Sequence, residues 1–197
     1  MPRPNYAQDA PPTTLTVGGA SYDINVDYRV WIDVMHALNE LVSAPTTVEQ
    51  AAHNLEVISK IEMAVFGRII PNQPSEVIPA VAAFADGYPE APTGEGGKSV
   101  RAYSLDWDLN YIIIAIMNQF GVDLSYRRTE PFHFWEFLLY FRTLCGDHHI
   151  LRLMDIRSYD GKDAEMKKQA QRFALPRENT ADDQVILDAF DEIFYNS

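Results

Sequence analysis

The sequence predicts a mainly α protein: a compact multi-helix domain with a short N-terminal β-hairpin. Apolar residues recur at three- and four-residue intervals in run after run, the spacing of one buried helix face. Acids or hydroxyls stand at the starts of several of these runs and glycines at their ends, where helices need caps. Period-two alternation flanks Gly18-Gly19 near the N-terminus, the pattern of two short strands joined by a turn. Hydrophobic residues make up 47% and aromatics 12% of the 197 residues, enough to fill a core.

Residues 1–12 read as a flexible lead-in, because the prolines at 4, 11 and 12 remove backbone donors. Leu15 and Val17 alternate with threonines, and Tyr22, Ile24 and Val26 with polar residues, on either side of the glycine pair. Asp27 is placed to cap a first helix, along which Tyr28, Trp31, Met35, Leu38 and Val42 form one stripe. Thr46-Thr47 opens a second helix that runs to Phe66 and stops at Gly67. A short apolar helix follows over 75–84, after the prolines at 71 and 74. Residues 86–98, with four glycines and two prolines, read as a surface loop.

The second half is expected to be helical. Asp106 is read as the cap of a helix from Trp107 to Phe120, ended by Gly121. Its stretch Tyr111 to Met117 is apolar on all sides, which predicts the most enclosed helix of the protein. Thr129 or Glu130 is expected to cap the next helix, with Pro131 in its first turn and Gly146 at its end. Shorter elements follow over 150–156 and 164–173. Thr180 and Asp183 resemble a capping box for a last amphipathic helix to Tyr195. The organisation is thus a lead (1–12), one helical domain (13–176) and a C-terminal helix (177–197).

Composition narrows the function classes. A net charge of -12 opposes binding along a nucleic-acid backbone, which needs a basic surface that releases counterions. The densest basic stretch, Lys162 to Arg172, holds four positive residues diluted by Asp163 and Glu165. Cys145 is the single cysteine, so no intrachain disulfide or CxxC site forms. The proline-rich N-terminus has no apolar signal-peptide core. The run from Tyr111 to Met117 falls far short of the ~20 residues that span a bilayer. A soluble intracellular protein is expected.

The chemical motifs fail on spacing. Gly97-Lys98-Ser99 ends like a phosphate-binding loop, but the glycine that must begin it falls on Pro92, and no buried strand precedes it. His133 and Glu136 share a helical face without the second carboxylate-histidine pair of a bundle metal site. His148 and His149 are adjacent, so their side chains diverge. Cys145 stands beside a helix end with nothing to suggest an oxyanion hole. Asp106 and Asp108 sit where acids stabilise a helix N-terminus. No catalysis, cofactor or metal is predicted.

The segment "EPFHFWEFLLYFRTLCG" places six aromatic rings between Phe132 and Phe141. Aromatic cages for cations draw their rings from several segments. Here Phe134, Phe137 and Phe141 recur at three and four, with Trp135 and Leu138 widening the arc and Phe132 and Tyr140 near its edges. This stripe reads as core, and truncating Trp135 to alanine is expected to cost about 3–5 kcal/mol.

Six segments in order, "INVDYRVW", "YSLDWDLNYI", "FGVDL", "HFWEF", "IRSYD" and "FALP", resemble the bacteriophage "gene product fifteen" family over roughly residues 13–176. The resemblance implies a product of a gene lying just ahead of the tape-measure gene. It implies a tail-assembly chaperone in the host cytoplasm that binds the tape-measure protein, with itself or another tail-assembly protein as a further partner and no nucleic-acid or membrane partner. The alternative it leaves is a minor tail or connector component of the virion. At the matched positions it implies caps (Asp27, Asp106), core aromatics (Trp31, Tyr111, Trp135, Phe137) and a partly buried ion pair through Arg29 or Arg157. Beyond the matched region, Ile186, Leu187, Phe190, Ile193 and Phe194 form an apolar stripe flanked by acids. That is the format of a helix that docks into a groove, and these five are the candidate partner-binding residues.

Overall fold

The computed structural model describes residues 10–71, 74–87 and 102–176. The predicted lead up to residue 9, residues 88–98 of the predicted loop and the tail from 177 lie outside the described residues. Seven helices and one two-stranded antiparallel hairpin make the described chain mainly α. They fall into two compact units, one up to Gly87 and one from 102 to Pro176.

In the first unit β1 (Thr14–Val17) pairs with β2 (Ala20–Asp23), Leu15 opposite Tyr22. Gly18 and Gly19 turn the chain at φ 56° and 82°. Positive φ at both central residues suits the twist of a tight hairpin, and glycine adopts it without steric cost. The strands lead into α1 (Tyr28–Asn39). Asp27 caps it by accepting the Arg29 N–H at 2.9 Å, and its carboxylate also takes the Arg29 guanidinium at 2.6 and 2.8 Å. Trp31 is fully buried and donates its indole N–H to the Asn25 carbonyl at 2.6 Å. The Asn25 N–H bonds the Val65 carbonyl at 2.7 Å. The strand-to-helix corner is thereby fastened to α2 (Val48–Phe66).

Helix α2 begins in a full capping box, Thr47 with Gln50, and ends at Gly67, where φ is 68°. Its inner face, Val57, Ile61 and Val65, is buried. Helix α3 (Pro74–Ala85) carries Pro79 inside it. Val77, Val81 and Phe84 point inward, and the Phe84 ring lies 4.2 Å from that of Trp31.

The second unit holds α4 (Leu105–Phe120), α5 (Phe134–Arg142), α6 (His149–Arg157) and α7 (Ala164–Arg172). Helix α4 packs against α5 and α6, and α7 against α6. Helix α5 buries Phe134, Phe137, Leu138 and Phe141. Tyr103 meets the Phe141 ring edge-on at 4.8 Å, and Tyr140 lies 4.7 Å from the Phe120 ring. The aromatic-rich segment is core, and Phe132, expected near the edge, is buried with it.

Four expectations need correction here. Ser104, not Asp106, caps α4: its hydroxyl accepts the Asp106 N–H at 3.2 Å, leaving Asp106 exposed in the first turn. Nor is α4 enclosed on all sides. Tyr111 is 43% exposed, Ile114 54% and Trp107 64%, while Asp108, Ile112, Ala115 and Ile116 turn inward. Trp135 is half-buried, because the inward arc of α5 runs through Phe134, Phe137, Leu138 and Phe141 and leaves its neighbour at the rim. That helix starts later than Thr129 or Glu130 would set it, with His133 as its cap.

Candidate functional site

The histidines and the cysteine were the first candidates for chemistry, and each has a local task. His133 accepts the Trp135 N–H on Nδ1 at 3.0 Å, capping α5. The His149 ring stands edge-on to Tyr111 at 4.6 Å. His148 bonds the Gln119 side-chain oxygen at 3.1 Å, and that oxygen also accepts the Cys145 N–H at 3.0 Å. The Gln119 amide nitrogen approaches the Cys145 sulfur at 3.6 Å. Gln119 thus clamps the segment between α5 and α6 to the end of α4, and the imidazole is bonded to an amide oxygen rather than to the thiol. A cysteine nucleophile needs its base within hydrogen-bond reach. Among the described residues no three His, Cys, Asp or Glu side chains converge on a metal position.

The buried charges are structural. Arg157 donates to Asp108 at 2.6 and 3.1 Å, to the Ala102 carbonyl at 3.1 Å and to the Phe173 carbonyl at 2.8 Å. Asp108 also accepts the Ser104 N–H at 2.9 Å. A buried ion pair is tolerated when such additional bonds satisfy its remaining donors and acceptors. Glu62, on the inner face of α2, accepts the Ile70 N–H, and burial raises its carboxyl pKa above the ordinary value.

Two apolar surfaces stand out among the described residues. The first is a groove in the first unit with a volume of about 510 Å³, lined mainly by Met35, Leu38, Val42, Ile58, Ile78 and Ala82. Three helices build it: the end of α1, the middle of α2 and the second half of α3. Asn54 reaches in from α2, but its side chain is engaged at both ends, accepting the Val42 N–H at 2.9 Å and donating to the Val42 carbonyl at 2.7 Å. This pair pins the α1–α2 connection as one wall. A groove with mainly apolar walls suits apolar side chains. Sequence reasoning did not find it. The available signal was the stripe Met35, Leu38 and Val42, whose last member lies beyond the end of α1.

The second surface is the outer face of α4. Trp107, Tyr111 and Ile114 follow one another at four and three residues and are exposed, so they form a single apolar ridge. Of the residues singled out in the sequence, the fold brings Asp27 and Trp31 together at the start of α1 and buries Phe137 in the second unit. It turns Tyr111 outward. Ile186, Leu187, Phe190, Ile193 and Phe194 lie outside the described residues.

Residues 8–178 match the family described as "Bacteriophage Gp15 protein". The chain belongs to that family. Members of the Gp15 family are phage structural or assembly proteins rather than a known enzyme class. The match spans both units, so grooves, ridges and buried pairs alike lie within the family's span. No curated protein and no solved structure matches the chain. No helix among the described residues is long and apolar enough to cross a membrane.

Proposed function

We propose that this Gp15-family protein is a tail-assembly chaperone that binds the phage tape-measure protein in the host cytoplasm during tail construction, without catalysis. The observation that carries the reading is the 510 Å³ apolar groove between α1, α2 and α3. An amphipathic helix lays i, i+3/i+4 and i+7 side chains into such a groove, and a long apolar-striped partner helix needs that cover before assembly. The apolar residues Ile186, Leu187, Phe190, Ile193 and Phe194 add a second contact to the partner. A net charge of -12 keeps loaded complexes soluble and mutually repelling.

Co-expression with the neighbouring tape-measure protein, followed by pull-down, tests the reading. Ala82→Phe fills the groove from one wall. Loss of a central anchor of roughly 2 kcal/mol weakens capture about 30-fold. Deleting residues 179–197 weakens capture further while leaving the melting transition in place. No capture by the natural chain, or capture by both variants equal to that of the natural chain, overturns it. Membership in a structural or assembly family also supports a second reading, a minor tail or connector component of the virion. Stoichiometric recovery from purified particles by mass spectrometry selects that reading, and absence from them selects the chaperone.

A further inference from the structure

We infer that a second copy of this chain packs against the outer face of α2, antiparallel and about a two-fold axis level with Val57 and Ile58. Helix α2 is apolar on two sides. Val57, Ile61 and Val65 form its buried face. Val48, Ala52, Leu55, Ser59 and Met63, spaced four, three, four and four, line up on the opposite side, and all five are exposed. Val48 is 81% exposed, Leu55 59% and Met63 53%. The Ser59 hydroxyl is turned onto the helix itself, donating to the Leu55 carbonyl at 2.8 Å. The crest of this face therefore runs most of the ~28 Å of the helix without a charge. One apolar face is enough to join a helix to its own core. A second, left in water, marks a surface that another molecule covers.

The face is complementary to itself when one copy is reversed, which is the first reason for this occupant. In the antiparallel pair Leu55 of each copy lies beside Ser59 of the other, Met63 beside Ala52, and Val48 beside Phe66 at the helix end. Leucine and methionine thus meet small residues along the seam. Charge is the second reason. Glu56 and Lys60 form an ion pair at 2.8 Å on one flank of the face, 67% and 61% exposed. A two-fold axis across an antiparallel pair keeps like flanks together, so Lys60 of each copy comes level with Glu56 of the other. Four charges then alternate in sign and hold the register. A parallel pair would set that flank against Ala51 and Ile58, which carry no charge. In a chain of net charge -12, a flank on which two copies attract offsets their overall repulsion.

The inference goes beyond the proposed function and does not rest on it, since neither the groove nor the tape-measure protein enters. One helix face lies at the small end of specific interfaces, so the full-length protein is measured by sedimentation equilibrium from about 1 to about 200 μM. The expected mass rises across that range from the 22.4 kDa of one chain towards twice that value. Leu55→Asp/Met63→Asp stays at the mass of one chain throughout. Glu56→Lys and Lys60→Glu each put four like charges on the shared flank and weaken self-association by roughly tenfold or more. Mixing these two single variants restores association, because each then meets the opposite sign. The reversal Glu56→Lys/Lys60→Glu keeps the alternation and self-associates like the natural chain. Every substituted side chain is exposed, and circular dichroism checks that each variant is folded. A natural chain that remains at one mass at every concentration overturns the inference. So does a folded Leu55→Asp/Met63→Asp variant that still doubles, because the copies then meet elsewhere. Single charge variants that self-associate like the natural chain, or that fail to pair on mixing, overturn the antiparallel arrangement and with it the inference.

Discussion

Arg157 and Asp108, 49 residues apart, form a two-pronged ion pair at 2.6 and 3.1 Å with only 8% and 2% of their side chains exposed. The pair ties α6 to the first turn of α4. It also fixes which way α4 is rotated, since the face that carries Asp108 must turn inward. Breaking one partner of a buried pair leaves the other charge uncompensated, at a cost of about 3–5 kcal/mol. Arg157→Leu is expected to lose that much in urea unfolding. Asp108→Asn, which keeps an acceptor for Ser104 and Arg157, is expected to lose less. Equal and small losses refute the account.

Burial of Glu62 sets the sign of a pH dependence. Desolvation raises its carboxyl pKa above the ordinary 4.5, partly offset by the Ile70 N–H. A raised value means that the folded state binds the proton more tightly than the unfolded state does. The associated stability is fully present below pH 4.5 and is lost as pH rises through the raised value. Glu62→Gln is neutral at every pH and still accepts the Ile70 N–H. It should unfold about 1 kcal/mol less readily than the natural chain at pH 7, the scale of relieving a poorly compensated buried polar group. Below pH 4 the two melting curves should converge. A variant less stable at pH 7 would reverse the sign and refute it.

The aromatic helix α5 allows a comparison inside one turn. Phe137 is fully buried and Trp135 half-buried. Phe137→Ala removes a packed ring and is expected to cost about 3–5 kcal/mol. Trp135→Ala should cost roughly half as much, although tryptophan is the larger residue, because part of its surface is already in water. Chemical denaturation of the two variants ranks them, and the reverse order would show that Trp135 is the anchor.

Local rules were legible and distant ones were not. The glycine hairpin, the Asp27 cap, the Thr47 start and the Gly67 and Gly121 stops each depend on residues within a few positions of one another, so pattern alone locates them. The rotation of α4 depends on Arg157, far along the chain, and a run of isoleucines offers no polar marker from which to choose a face. Phe132 and Trp135 exchanged places for a related reason: both lie at the margins of an arc whose centre only the partner helices define. The groove was illegible because three helices meet to make it, and its lining residues looked like ordinary core when read one helix at a time. His133 escaped notice as a cap because an imidazole nitrogen does there what an acid or hydroxyl more commonly does.

The two expected aspartate caps now make a matched test of what a cap contributes. Asp27 accepts the Arg29 N–H and holds the Arg29 guanidinium, and it is nearly buried. Asp27→Ala removes the cap and leaves orphan donors in a poorly solvated corner, costing about 1–2 kcal/mol. Asp106 stands in the first turn of a helix whose cap is Ser104. It is exposed there and lies near the positive end of the helix dipole, so Asp106→Ala should cost no more than about 0.5 kcal/mol, and less in high salt. Ser104→Ala should resemble Asp27→Ala, because it removes the hydroxyl that accepts the Asp106 N–H. Thermal melting of the three variants in low and high salt checks the order. If Asp106→Ala proves as damaging as Ser104→Ala and insensitive to salt, Ser104 is not the dominant cap of α4 and the account is refuted.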